Sequence, residues 1–184
     1  AVAMEQLLNS KKMAPFETLS RHLWEHTMEV AALSRVLARR LTRVNPDEAL
    51  FAGLVHDIGV FYLLSRAVNF PELVADTEGL HALLVQWHDS IGHALLAAMG
   101  LADDLLVAVL EHEQDREVGQ LKTLKDVLFV ANKLANIKHG WRDSSYSAQP
   151  DPSTFSQWFD AKALSAVLAE SEQDVASLKQ ALSN

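Results

Sequence analysis

Along most of this chain apolar residues recur at steps of three and four, the spacing of one face of a helix. From about Thr18 to Leu41 the series Leu19, Leu23, His26, Val30, Leu33, Leu37 and Leu41 draws such a face, with His26 at a position otherwise apolar and His22 one turn earlier. From roughly Glu78 to Met99 the line is Leu80, Leu84, Trp87, Ile91, Leu95 and Ala98, stopped by Gly100. His88 sits at its edge, with His81 two turns before and Gly92 one turn on; Gly92 would let another backbone or a ligand come close. His93, beside Asp89 and Ser90, is expected nearer solvent. A short helix from Leu101 to about Glu113 puts Leu105, Val109 and His112 on one line, so His112 faces inward. Leu121 to His139 carries Leu124, Val127, Leu128, Ala131, Leu134 and Ala135 inward, with Asn132 beside them. Amphipathic segments at about Phe155 to Glu170 and Ser171 to Leu182 close the chain. Apolar and polar residues never alternate over a useful length, so no strand is expected and the fold class is all-α, a compact helical bundle.

One stretch departs from this striping. Ala49 to Leu64 is apolar nearly all round, with only His56, Asp57 and the Tyr62 hydroxyl polar. Such a helix is normally buried among others, where a carboxylate is costly unless paired, hydrogen-bonded or bound to a metal. An imidazole and a carboxylate are ordinary divalent-metal ligands, but a His–Asp pair that only ties helices together explains the stretch as well, and both readings stand here. Asn45-Pro46, followed by Asp47 and Glu48, supplies a helix start. The run reads as too short and too polar in its middle to span a membrane.

Residues 1–17 look like the end of a preceding helix or N-terminal half, 18–140 the core, 141–154 a loop rich in Ser, Asp and Pro, and 155–184 helices packing on the core. Composition narrows the function. Hydrophobic residues make up 49% of the 184, enough for a folded core. The absence of cysteine excludes disulfides and thiolate metal sites and fits a cytoplasmic location. A net charge of −8 repels phosphate backbones, so no nucleic-acid partner is expected, and no membrane partner either. The basic group Arg35, Arg39, Arg40 and Arg43 reads as a solvated helix end.

The inward polar residues are His26, His56, Asp57, His88, His112 and Asn132, from five separate helices. A helical bundle can bring such side chains into one interior site, and core histidines sharing a pocket would penalise each other's protonation unless a ligand joined them. The order His, His-Asp, further His, then a late Asn resembles the HD superfamily of metal-dependent phosphohydrolases. The nearer likeness is to its HDOD branch, the HD-related output domains of bacterial signalling proteins. It rests on L-W-E-H-T-M-E-V-A (23–31), E-A-L-F-A-G-L-V-H-D-I-G (48–59), W-H-D-S-I-G-H-A-L-L (87–96) and V-L-F-V-A-N-K-L-A (127–135). HDOD domains usually carry another helical half before this point, which the capless start at Ala1 fits.

The resemblance implies an HD-domain-like bundle in which His26, His56 and Asp57 are metal ligands, completed at the late position by Asn132, where the family pattern has Asp. His88 and His112 match the extra histidines of two-metal members. The ion would be Fe, Mn, Ni, Zn or Mg. Val60 stands where cyclic-dinucleotide phosphodiesterases of this superfamily have Lys, and no G-Y-P follows His112, so that activity is set aside. Two functions remain. One is a signal-transduction module with an HD-like metal site, acting through a protein partner. The other is a metal-dependent phosphohydrolase of a phosphoester or nucleotide, with His56 and Asp57 as catalytic residues.

Overall fold

A computed structural model describes residues 11–137 and 159–182. Among them every regular element is helical. After a 3₁₀ segment at Lys11–Phe16 come α1 (Glu17–Leu41), α2 (Pro46–Val55), α3 (Ile58–Ala67), α4 (Pro71–Ala75), α5 (Thr77–Ala98), α6 (Asp103–Leu110), α7 (Leu124–Leu134) and α8 (Ala161–Leu182). Residues 1–10, His139, the expected loop at 141–154 and the start of the expected helix at Phe155 lie outside the described residues.

α1 is the axis of the bundle, with α2, α7 and α8 against it, while α5 packs on α3 and α6. One core cluster gathers the second half of α1 with α2, α6, α7 and Val167 of α8. A second gathers Met13, Phe16 and Leu23 with Val60, Phe61 and Leu64 of α3 and Leu80 and Leu84 of α5. The polar residues fall at the seam. His26 separates Leu23 from Val30 on α1, His56-Asp57 separates Val55 from Val60, and His88 separates Leu84 from Leu96 on α5.

Several boundaries differ from the sequence reading, each for a tertiary reason. The His56-Asp57 helix is two helices, because the chain turns at Asp57 (φ −98°, ψ 18°) and α3 sets off from there. The Asn45 cap forms as expected, its side chain accepting from Asp47 N at 2.8 Å. Taken as one run, Pro46–Ala67 is long and apolar enough to cross a membrane, contrary to the sequence reading, but 56% of it is buried inside this bundle and it breaks at Asp57.

On α5 the buried line is Leu80, Leu84, His88, Gly92 and Leu96; His88 is central to it, while Trp87 is half exposed. α7 begins later than Leu121, at a capping box of Thr123 and Asp126. It also ends sooner than His139, at Leu134. The Asn136 and Ile137 amides, which a longer helix would use internally, are taken by the Glu29 carboxylate of α1 at 3.0 and 2.9 Å. The expected break at Ser171 is absent: Ala161–Leu182 is continuous, with Ser171 buried and bonded to Leu168 O. The basic residues of α1 are not merely solvated. Arg39 and Arg40 both bind Glu170 of α8, and Arg35 lies 3.5 Å from Asp47.

Candidate metal centre

α1, the α2–α3 turn, α5 and the turn after α6 each deliver one histidine to the seam. His26, His56, His88 and His112 are all fully buried, and so is Asp57. Neighbouring rings stand edge to face, with centroids 5.3 Å apart for His26–His56, 5.0 Å for His56–His112 and 5.6 Å for His88–His112.

All four rings are oriented in the same way. Nδ1–H donates to a main-chain carbonyl: His26 to Ile137 at 2.6 Å, His56 to Gly53 at 2.7 Å, His88 to Leu84 at 2.8 Å and His112 to Val109 at 2.7 Å. A neutral imidazole anchored through Nδ1–H carries its lone pair on Nε2, the form in which histidine binds a metal.

Carboxylates face Nε2 of His56, His88 and His112. Asp57 occupies the N-cap of α3 yet makes no capping hydrogen bond, although that is the usual work of an Asp there. One of its oxygens, Oδ2, is 3.3 Å from His56 Nε2 and the other, Oδ1, 3.5 Å from His112 Nε2. His88 Nε2 is 2.8 Å from Asp89 Oδ1 and 3.2 Å from Glu113 Oε2, and His112 Nε2 is 3.9 Å from Glu113 Oε1. Two donor groups result, each within 4.8 Å: His26, His56 and Asp57; and His88, Asp89, His112 and Glu113. Donors about 2.0–2.2 Å from one ion sit roughly 3–3.5 Å apart, so these separations fit a divalent cation between the ligands. Asp57 faces both groups.

Without a cation the same contacts set the protonation. Burial is the largest influence on His56 and pulls it below the ordinary 6.5, with Asp57 opposing. Burial also acts most strongly on His88, downward, but the Asp89 carboxylate and the charge of Asp57 outweigh it and His88 ends above 6.5. In the metal-free protein those carboxylates favour the protonated form of His88.

The structure therefore brings His26, His56, Asp57, His88 and His112 together. Asn132 is buried on α7, its Oδ1 with no hydrogen-bond partner among the described residues. His22 is exposed. Sequence reasoning missed Asp89 and Glu113. The signal was present: His56-Asp57, His88-Asp89 and His112-Glu113 are three successive His–acid pairs.

The HDOD domain model matches residues 1–115, more than half of the chain. The chain belongs to the HDOD family. The match takes in both donor groups and stops short of Asn132. A crystal structure of a protein from Shewanella amazonensis SB2B, provisionally named a metal-dependent phosphohydrolase, superposes with a TM-score of 0.68 at 21% identity, over 95% of this chain and 65% of that one. At that identity the likeness establishes the fold. No curated protein matches.

Proposed function

We propose that this chain is an HDOD signalling module whose interior is organised by a divalent-metal centre and whose output is contact with a protein partner in the cytoplasm. The observation that carries the metal is the common orientation of four histidines, each with Nδ1–H on a carbonyl, with Nε2 of His56, His88 and His112 facing carboxylates and His26 grouped with His56 and Asp57. His26, His56 and Asp57, with the Asn132 amide oxygen as a neutral fourth ligand, would hold one ion. His88, Asp89, His112 and Glu113 would hold another, and Asp57 can serve both. Histidine with carboxylate and amide oxygen suits Fe, Mn, Ni or Zn, and Mg less well.

Closure favours the module over an enzyme. Structural metal sites are filled by protein ligands, whereas catalytic ones keep an open position. All four histidines and Asp57 are fully buried, and among the described residues the partly exposed members of the donor groups are Asp89, its side chain 28% exposed, and Glu113, at 7%. The acidic surface supports a protein partner over nucleic acid.

A phosphohydrolase is the second reading, favoured by two adjacent donor groups sharing Asp57. A divalent ion bound there supplies Lewis acidity to a phosphoryl oxygen and lowers the pKa of bound water. Asp57 would orient that water and His56 would hold its place in the donor set; Asp89 marks the side from which a phosphoester or nucleotide would enter.

Plasma mass spectrometry on tag-free protein purified without chelator is the test. Near-stoichiometric metal, lost in Asp57→Ala, supports the centre. Metal-free protein that also refuses added metal overturns it. Metal-stimulated phosphoester turnover abolished by Asp57→Ala would replace the module reading with the enzyme.

A further inference from the structure

Glu29 lies one turn beyond His26 on α1, half-buried, and belongs to neither donor group. Its carboxylate accepts two main-chain hydrogen bonds from consecutive residues more than a hundred positions away, Asn136 N at 3.0 Å and Ile137 N at 2.9 Å. Those amides follow the end of α7, where Ala135 turns to an extended conformation (φ −56°, ψ 129°). The second of these residues then returns to α1: the Ile137 carbonyl accepts from His26 Nδ1–H at 2.6 Å.

His26 differs here from the other three histidines. His56, His88 and His112 bond to carbonyls three or four residues earlier, which their own helical turn supplies. His26 depends on a carbonyl from a distant turn, and Glu29 accepts two of the hydrogen bonds that hold that turn against α1. Charged acceptors of main-chain N–H are the stronger kind of hydrogen bond, and two from one carboxylate fix a peptide's position as well as its distance.

We propose that Glu29 is a positioning residue: by clamping the Asn136–Ile137 turn it places the Ile137 carbonyl that fixes the His26 tautomer and aims Nε2 into the first donor group. The link from Glu29 to the tautomer stands on geometry alone; its consequence for metal affinity rests on the metal-centre reading above. Partners that orient ligating histidines typically change metal affinity about 10–100-fold when removed.

The experiment compares wild type, Glu29→Gln and Glu29→Ala as full chains. Long-range proton–nitrogen NMR reads the His26 tautomer without metal, and manganese or zinc titration reads affinity. Wild type should hold His26 with the proton on Nδ1. Glu29→Gln, with one amide oxygen for two donors, should give a mixed tautomer, and Glu29→Ala a larger shift toward Nε2–H, while His56, His88 and His112 stay unchanged. Affinity at the first group should fall about 10–100-fold, with the second group's unchanged. If Glu29→Ala does not fold, Glu29→Gln carries the test. An unaltered His26 tautomer in the folded variants overturns the proposal. A chain that refuses metal yet shows the tautomer shift overturns the metal reading and leaves the clamp standing.

Discussion

Gly59→Ala tests how tightly the metal centre is built. A Cβ at Gly59 would lie 2.0 Å from His88 O, 2.9 Å from His88 C and 2.8 Å from Gly92 N. All three are main-chain atoms, so no side chain can swing aside. To reach an ordinary contact of 3.4 Å, α3 must move off α5 at the residue that carries His88. Overpacking of this kind costs about 1–3 kcal/mol, against an intrinsic helical gain of up to about 1 kcal/mol for alanine over glycine. For a chain of this length each kcal/mol lowers Tm by about 2–4 °C, so the net cost, at most about 3 kcal/mol, corresponds to a fall of up to about 12 °C. A ligand displaced by about 1 Å should also lose metal, by 10–100-fold in affinity. Gly92 is the control. It faces Gly59 across the same helix pair, but a Cβ there meets Gly59 N and Val109 Cγ1 at 3.5 Å, ordinary contact. Gly92→Ala should leave metal content intact and raise stability by up to about 1 kcal/mol. Calorimetry with and without chelator, plus metal analysis, reads both variants. Equal behaviour of the two alanines would refute the argument that backbone approach at Gly59 sets the position of His88.

Chelation should lower the Tm of wild type, because an ion binding only the folded chain stabilises it by about 4 kcal/mol at a thousand times its Kd. Asp57→Asn should shrink that difference by the first donor group's share and, melted without metal, be at least as stable as metal-free wild type, since one buried charge is gone. On pH, the folded state holds His56 below 6.5, so the unfolded chain takes up a proton there that the folded one does not. That stability is full above 6.5 and is lost as pH falls below it; urea midpoints of metal-free His56→Gln should fall less than wild type's between about pH 7 and 5.5. Burial pushes Asp126 up, but bonds from Thr123, the Lys122 amide and Arg116 bring it below 3.8, so its contribution is present above 3.8 and lost as pH falls through the folded value. Asp126→Asn should cost about 1–2 kcal/mol by urea titration at pH 7, a difference that vanishes at strongly acid pH. Asn132→Asp should tighten metal binding at the first donor group by isothermal titration while lowering the Tm of the metal-free protein. Unchanged affinity would remove Asn132 from the ligand set.

What the sequence made legible was whatever local periodicity controls. The apolar faces of α1 and α7 are buried much as the spacing of their leucines and valines predicts. His26, His56, Asp57, His88 and His112 could be collected because each interrupts an apolar line. The missing pieces were those decided by another element. The HD turn is broken where α3 leaves Asp57 and closes on α5, and α7 ends where Glu29 takes its next amides. Trp87 was taken for core on its hydrophobicity, although His88 holds the buried line. Asp89 and Glu113 escaped because acidic residues beside a helix face read as solvated, and only the fold turns them back toward His88.

Charge balance joins these observations. Asp57, Asp89 and Glu113 place three carboxylates around buried histidines, of which His56 is held toward its neutral form. Such a group is costly without cations, and the carboxylates accordingly raise the proton affinity of His88. Two divalent ions would exceed the three negative charges by one. An Asp at position 132 would close that gap and leave the loaded site neutral; Asn132 leaves it positive. A buried site with one surplus positive charge holds its ions less firmly than a neutral one, but it attracts an anion, whether hydroxide or a phosphoryl oxygen. The same substitution that weakens the centre as a structural anchor thus improves it as an anion receptor, and Asp89, the more exposed of the two partly exposed carboxylates of its donor group, marks where such an anion would arrive. Whether the surplus charge is met by hydroxide or by a phosphoryl group is therefore what divides the signalling module from the phosphohydrolase, since both readings share every protein ligand.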